Sequence, residues 1–168
     1  MNIILIGFMG AGKSAVGQLL ARDLGYNYLD TDTLIEQTEK RSVSAIFAAE
    51  GEAHFRDLES EVLKTLQDYD GFVLSTGGGM VLRAENISLL KSLGKVILLW
   101  ADPATLYERV KNETHRPLLK VDDPLAEIKK RLTDREPNYR AAADETINTA
   151  GQEPAEIVEE IKQWLKSK

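Results

Sequence analysis

The sequence predicts an α/β fold, a parallel sheet wrapped by helices, on three observations. Short apolar runs alternate along the chain with stretches of helical period. The first of these runs gives way, at the point where a strand should turn into a helix, to a glycine-rich turn carrying a lone lysine. The composition, 43% hydrophobic over 168 residues, suits one compact domain with a real core.

Strands are predicted at 2–7, 27–30, 71–75, 95–100 and 145–148, each a short run bounded by turn-forming residues. Between them Val16, Leu19, Leu20 and Leu24 recur at helical spacing, as do Leu58, Val62 and Leu66, and later Ile157, Ile161 and Leu165. Each stripe would cover a sheet face. Asp102-Pro103 has the form of an N-cap followed by proline at the first helical position, and residues 152–154 punctuate the approach to the final helix in the same way.

Two segments resist this alternation. Residues 31–70, between the second and third strands, are far more than one crossover helix needs, so an insertion is expected there. Residues 111–124, KNETHRPLLKVDDP, are polar, charged and punctuated by Pro117 and Pro124, which suits a mobile cover. The expected organisation is therefore a single domain with a core of 1–30, 71–110 and 125–168, an insertion at about 31–70 and a lid at about 111–124.

Composition excludes several functions. The formal net charge is −6 with no basic run, so neither nucleic acid nor an anionic membrane is an expected partner. There is no cysteine, and the two histidines, His54 and His115, lie far apart, which excludes thiolate sites and argues against zinc. The N-terminal apolar run is too short to span a membrane and lacks the marks of a signal peptide, so a cytoplasmic protein is expected.

The octet Gly7-Phe8-Met9-Gly10-Ala11-Gly12-Lys13-Ser14 satisfies G-x-x-x-x-G-K-[ST], with the strand before it and the helix after it that this phosphate-binding motif requires. Backbone amides from Gly10 to Ser14 would wrap the phosphates of a nucleotide, Lys13 would reach the β- and γ-phosphates, and the Ser14 hydroxyl would ligate Mg²⁺. A switch GTPase is excluded, because no N-K-x-D is present and Asp68-Tyr69-Asp70-Gly71, although it matches D-x-x-G, precedes the third strand and reads as a turn. No aspartate ends the third strand, so the second magnesium carboxylate is sought at Asp30-Thr31-Asp32, on the sheet edge where ligands collect. An extended reading of this stretch puts Asp30 and Asp32 on one side and Thr31 on the other, ahead of a helix at 33–39. One carboxylate would serve the Mg²⁺ waters and the other a substrate hydroxyl.

Within GEAHFRDLESE, Arg56 and Glu59 are three apart on a helix, which by itself reads as an ordinary surface ion pair. Against that stands STGGGM, residues 75–80, whose consecutive glycines would let a substrate approach the backbone closely. Arginine, aspartate and a glycine floor together suit a small hydroxylated acid.

These residues resemble the shikimate kinases over nearly the whole chain: the octet, DTD at 30–32, FRDLE at 55–59, GGG at 77–79, RPLL at 116–119 and REPNYR at 135–140. The resemblance implies a three-layer P-loop kinase fold with strand order 2-3-1-4-5, a substrate-binding insertion after the second strand, and a lid that closes over ATP. It implies ATP-dependent phosphorylation of the 3-hydroxyl of shikimate, on the way to chorismate and the aromatic amino acids, by a cytoplasmic monomer using Mg²⁺. Carried onto this chain, Lys13, Asp32 and Arg116 are the catalytic residues. Gly10, Ala11, Gly12, Lys13, Ser14, Ala15, Arg109 and Arg116 bind ATP. Asp32, Arg56, Gly78, Gly79 and Arg135 bind shikimate, with Glu59 orienting Arg56, and Ser14 and Asp30 serve the metal, Asp30 through water. Arg109 matches a position that packs on adenine, although beside Glu108 and Lys111 it reads equally as part of a solvated helix face. A kinase of another small hydroxy acid such as gluconate, and a non-catalytic nucleotide-dependent binding module, are the alternatives.

Overall fold

The computed structural model describes residues 1–168, except for the side chain of Leu118. In chain order the elements are β1 (Ile3–Ile6), α1 (Lys13–Leu24), β2 (Asn27–Asp30), α2 (Thr31–Glu39), α3 (Val43–Thr65), β3 (Phe72–Ser75), α4 (Ala84–Leu93), β4 (Lys95–Trp100), α5 (Pro103–Val110), α6 (Pro124–Ala142), β5 (Glu145–Asn148) and α7 (Pro154–Lys166). Short 3-10 turns lie at Leu66–Asp68, Met80–Leu82 and Pro117–Leu119.

The sheet is wholly parallel with order β2-β3-β1-β4-β5, as expected. Its three inner strands are buried along almost their whole length, because helices lie on both faces, and this is why they read as unbroken apolar runs. The edge strands β2 and β5 are only partly buried. On one side α1 packs against β1, β2 and β3 and meets α7; on the other α4 and α6 pack together over β4. Ile157, Val158 and Ile161 of α7 join Val16 and Leu20 of α1 in the main core.

Helix starts follow local chemistry. Asp102 accepts from the Thr105 amide at 3.2 Å with Pro103 behind it, and Glu153 forms a reciprocal capping box with Glu156 ahead of α7. The expected start of α2 needs correction. Asp30, the last residue of β2, already caps the helix by accepting from the Thr33 amide at 3.1 Å, so Thr31 and Asp32 are helical and not extended. The strict alternation of Asp30 and Asp32 therefore does not hold. Thr31 turns inward and is fully buried, its hydroxyl accepting from the Gly77 amide at 3.0 Å.

The long segment between β2 and β3 is two helices, α2 and α3, with a small apolar cluster of their own, Ile35, Ile46 and Phe55. Within α3 the helical path is interrupted at Gly51 (φ 82°, ψ 178°), so the residues from Glu52 onward leave at a new angle.

Candidate active site

The phosphate loop closes because Gly10 (φ 78°) and Gly12 (φ 96°) take the left-handed backbone that other residues rarely adopt. Gly12 stands at the N-terminus of α1, so Gly10, Ala11, Gly12, Lys13, Ser14 and Ala15 form one continuous path from turn into helix. Among the described residues no side chain caps that terminus, which leaves its amides available to an anion. Lys13 folds back over the loop, donating to the carbonyls of Gly7 at 2.6 Å and Phe8 at 2.9 Å. Burial lowers its pKa to about 8, with Asp32 pulling the other way and Arg116 and Arg135 adding to the depression. At neutral pH the ammonium is still charged.

Beside this loop lies the triple-glycine turn after β3. A Cβ on Gly78 would stand 3.7 Å from the Gly7 carbonyl oxygen and the Met9 nitrogen, and 3.4 Å from the Arg135 guanidinium. A Cβ on Gly79 would collide with the Arg56 guanidinium at about 2.5 Å, so glycine there lets Arg56 lie against the backbone.

Arg56 is not the surface partner that its spacing suggests. Its Nη1 donates to Glu59 at 2.5 Å, and the exposures of the two side chains are 12% and 0%. Burial works against the Arg56 charge, but Glu59 and Glu52 outweigh it and raise its pKa. Burial holds Glu59 above the ordinary carboxylate range despite Arg56, and Asp32 is raised by burial and by Asp30. One oxygen of Asp32, one oxygen of Glu59 and the Nε of Arg56 are buried with no hydrogen-bond partner among the described residues. The two oxygens flank Gly77, at 3.2 and 2.9 Å from where its Cβ would be. Orphaned acceptors beside two cationic forks make a pocket complementary to a molecule that carries both hydroxyls and a carboxylate.

Arg109 has more structure around it than a solvated helix face would give. Its guanidinium donates to the Gly10 carbonyl at 3.0 Å, to the Thr149 hydroxyl at 3.0 Å and to the Thr149 carbonyl at 2.8 Å, which fixes its plane. Arg109 and Pro154 line a cleft that reaches Ala11 and Gly12 of the phosphate loop. Arg116 lies in the 111–124 segment, paired with Glu113. Asp30 spends one oxygen on capping Thr33, and Ser14 stands exposed in the first turn of α1. Among the described residues, no group of three or more histidine and acidic side chains is arranged to hold a metal.

Two supports of the site were not singled out from sequence. Tyr139, buried on α6 one turn after Arg135, donates to the Gly78 carbonyl at 2.5 Å. Asn86 of α4, fully buried, accepts from Ser60 at 2.7 Å and donates to the Met80 carbonyl at 3.0 Å, while the same Ser60 hydroxyl bonds the Arg56 carbonyl at 3.1 Å. The one available sequence signal was the REPNYR stretch, which places a tyrosine four residues after an arginine on a helix.

Burial pushes the Tyr139 phenol up from 10.0 to about 12. A raised folded pKa means that the native state holds the proton more tightly than the unfolded chain, so this contribution to stability is complete below pH 10 and is lost as pH rises through about 12. Urea midpoints measured across that window should therefore fall more steeply for the native sequence than for Tyr139→Phe. Parallel curves would contradict this.

Sheet order, phosphate loop and facing arginines define a P-loop kinase for a small anionic acceptor. The family model for shikimate kinase matches residues 9–166. A shikimate kinase of Moorella thermoacetica is 46% identical over 166 residues, covering 99% of this chain and 95% of that protein. The solved shikimate kinase of Acinetobacter baumannii in complex with shikimate superposes with a TM-score of 0.94 at 38% identity, covering 99% of this chain and 93% of the other. A gluconokinase from Sinorhizobium meliloti matches at a TM-score of 0.55 and 17% identity over 95% of this chain and 87% of its own, a likeness of fold alone. The chain belongs to the shikimate kinase family.

Proposed function

We propose that this chain transfers the γ-phosphoryl group of ATP to the 3-hydroxyl of shikimate, giving shikimate 3-phosphate for chorismate and aromatic amino acid synthesis. The observation that carries the reading is the buried Arg56–Glu59 pair against Gly79, with unpartnered carboxylate oxygens of Asp32 and Glu59 beside it. Shikimate supplies what such a pocket lacks: a carboxylate for the guanidinium groups of Arg56 and Arg135, and hydroxyls for the orphaned oxygens. Asp32, whose affinity for a proton burial has raised, accepts the proton of the reacting hydroxyl. Lys13 leaves the Gly7 and Phe8 carbonyls for the β- and γ-phosphates, and adenine lies between Arg109 and Pro154.

The donor set near Ser14 and Asp30 is hard oxygen only, which suits Mg²⁺, Asp30 acting through water. Bound there, the ion would neutralise charge on the phosphates. Among the described residues no helix is long and apolar enough to cross a membrane, and the protein is read as a cytoplasmic monomer. ATP consumption by purified protein, with shikimate in one arm and gluconate in the other, tests the function. Turnover of shikimate is expected, and turnover of gluconate alone would refute the reading.

Residues 111–124 act as a lid. Among the described residues, the segment is held by Leu119, packed on the core, by the Arg116–Glu113 pair, by Lys111 on Glu108 and by the Glu113 amide on the Val110 carbonyl. A nucleotide phosphate would take Arg116 from Glu113 and draw the segment over the site, excluding water. Arg116→Ala should lower kcat by about 10²-fold, the scale for one donor to developing charge, with a much smaller rise in the KM for shikimate. Amides 112–123 should exchange quickly in the free protein and slowly with a non-hydrolysable ATP analogue plus shikimate. Equal protection in both states would show a static segment.

A further inference from the structure

The backbone of the triple-glycine turn is bonded in a one-sided way. Every carbonyl from Gly77 to Val81 has a donor: the Met80 amide on Gly77 at 3.1 Å, Tyr139 on Gly78 at 2.5 Å, the Leu82 amide on Gly79 at 3.1 Å, Asn86 on Met80 at 3.0 Å and Asn138 on Val81 at 2.9 Å. The amides of Gly78 and Gly79, by contrast, have no acceptor among the described residues. We infer that Tyr139 is a positioning residue for the substrate: by holding the Gly78 carbonyl from the α6 side it aims the Gly79 N–H at the acid-binding pocket.

The argument is stereochemical. In a planar trans peptide the C=O and the following N–H point in opposite directions, so a donor on the Gly78 oxygen sets the heading of the Gly79 amide. Glycines on both sides of that bond impose almost no torsional preference, and without a pin the plane would rotate freely. Backbone bonds hold the Gly77 and Gly79 carbonyls, but the Gly78 oxygen depends on a side chain alone. Tyr139 is only 1% exposed, and its phenol, pushed up to about 12, remains a donor throughout any ordinary assay range. Donation into the carbonyl also polarises the peptide and makes its N–H a better donor.

This rests on the reading of the turn as the shikimate floor, so wild-type turnover is measured first. Tyr139→Phe keeps the ring and removes one oxygen. It should raise the KM for shikimate, and its Kd by titration calorimetry, about tenfold, the worth of one buried hydrogen bond, and leave the KM for ATP within about twofold. Asn138→Ala is the control, because it frees the Val81 carbonyl, which lies beyond the two open amides; it should lose comparable thermal stability without the change in shikimate KM. If the wild-type protein does not turn over shikimate, the reading of the turn falls and the pin with it. If wild-type turnover is normal but Tyr139→Phe binds shikimate as the wild type does, or both variants weaken shikimate alike, the pin alone is overturned.

Discussion

Lys13→Met is expected to reduce kcat by about 10²–10³-fold, the scale for removing one charge-stabilising donor from a preorganised site, while the protein keeps its fold. The fold should survive because methionine fills similar space with no charge to desolvate, and burial already lowers the lysine pKa to about 8. What the variant leaves behind is two loop carbonyls, Gly7 and Phe8, without their donor. Both residues are buried, so leaving these carbonyls unpaired should cost about 1–3 kcal/mol of stability. Circular dichroism and a thermal melt separate the two effects. A folded Lys13→Met protein with near-normal kcat would remove the phosphate loop from the mechanism.

Arg56→Ala carries the second large effect, and it is really two effects. Loss of a charge-assisted fork should weaken shikimate by about 2–5 kcal/mol with little change in ATP binding. It also strands Glu59, 0% exposed, without its cation, and breaking a buried pair from one side costs about 3–5 kcal/mol. Raised already by burial, the Glu59 carboxyl would rise further once Arg56 no longer opposes that burial. Arg56→Ala with Glu59→Gln separates the terms, since the uncharged amide removes the stranded charge and restores most of the stability but none of the shikimate affinity. If the double variant recovers binding, Arg56 serves only to neutralise Glu59.

Which parts of this were legible in the sequence follows from the range of the forces involved. The three inner strands were readable to within one residue because burial on both faces leaves continuous apolar runs, the edge strands β2 and β5 because turn-forming residues bound them, and the Asp102 cap because its partners are neighbours in the chain. The start of α2 was ambiguous for a definite reason. Asp30 and Asp32 are both competent caps two residues apart, and the choice fell to the one at which β2 runs out. The insertion was seen as surplus length, but its separate cluster of Ile35, Ile46 and Phe55 has no local signature.

At the site, the octet and the glycines announced themselves, whereas the burial of Glu59 did not, since a charged residue on a helix reads as solvated until the tertiary fold encloses it. Arg109 was undecided for the same reason: Thr149, which holds it, is forty residues away in sequence. Tyr139, Asn86 and Ser60 act through bonds to backbone carbonyls, and a carbonyl acceptor leaves no trace in residue identity.

The break in α3 bears on how the chain tolerates change. Gly51 sits in open space, where an added Cβ would meet nothing within 4 Å, yet its φ of 82° and ψ of 178° fall in a region essentially reserved for glycine. Any other residue there would pull the backbone back toward a straight helix and swing the segment bearing Arg56 and Glu59. In a saturation scan, position 51 would stand out as an intolerant site with no crowding to explain it, while the exposed positions beside it accept most replacements. Selection at that point would act on a torsion angle and, through it, on the direction in which a guanidinium five residues later is aimed.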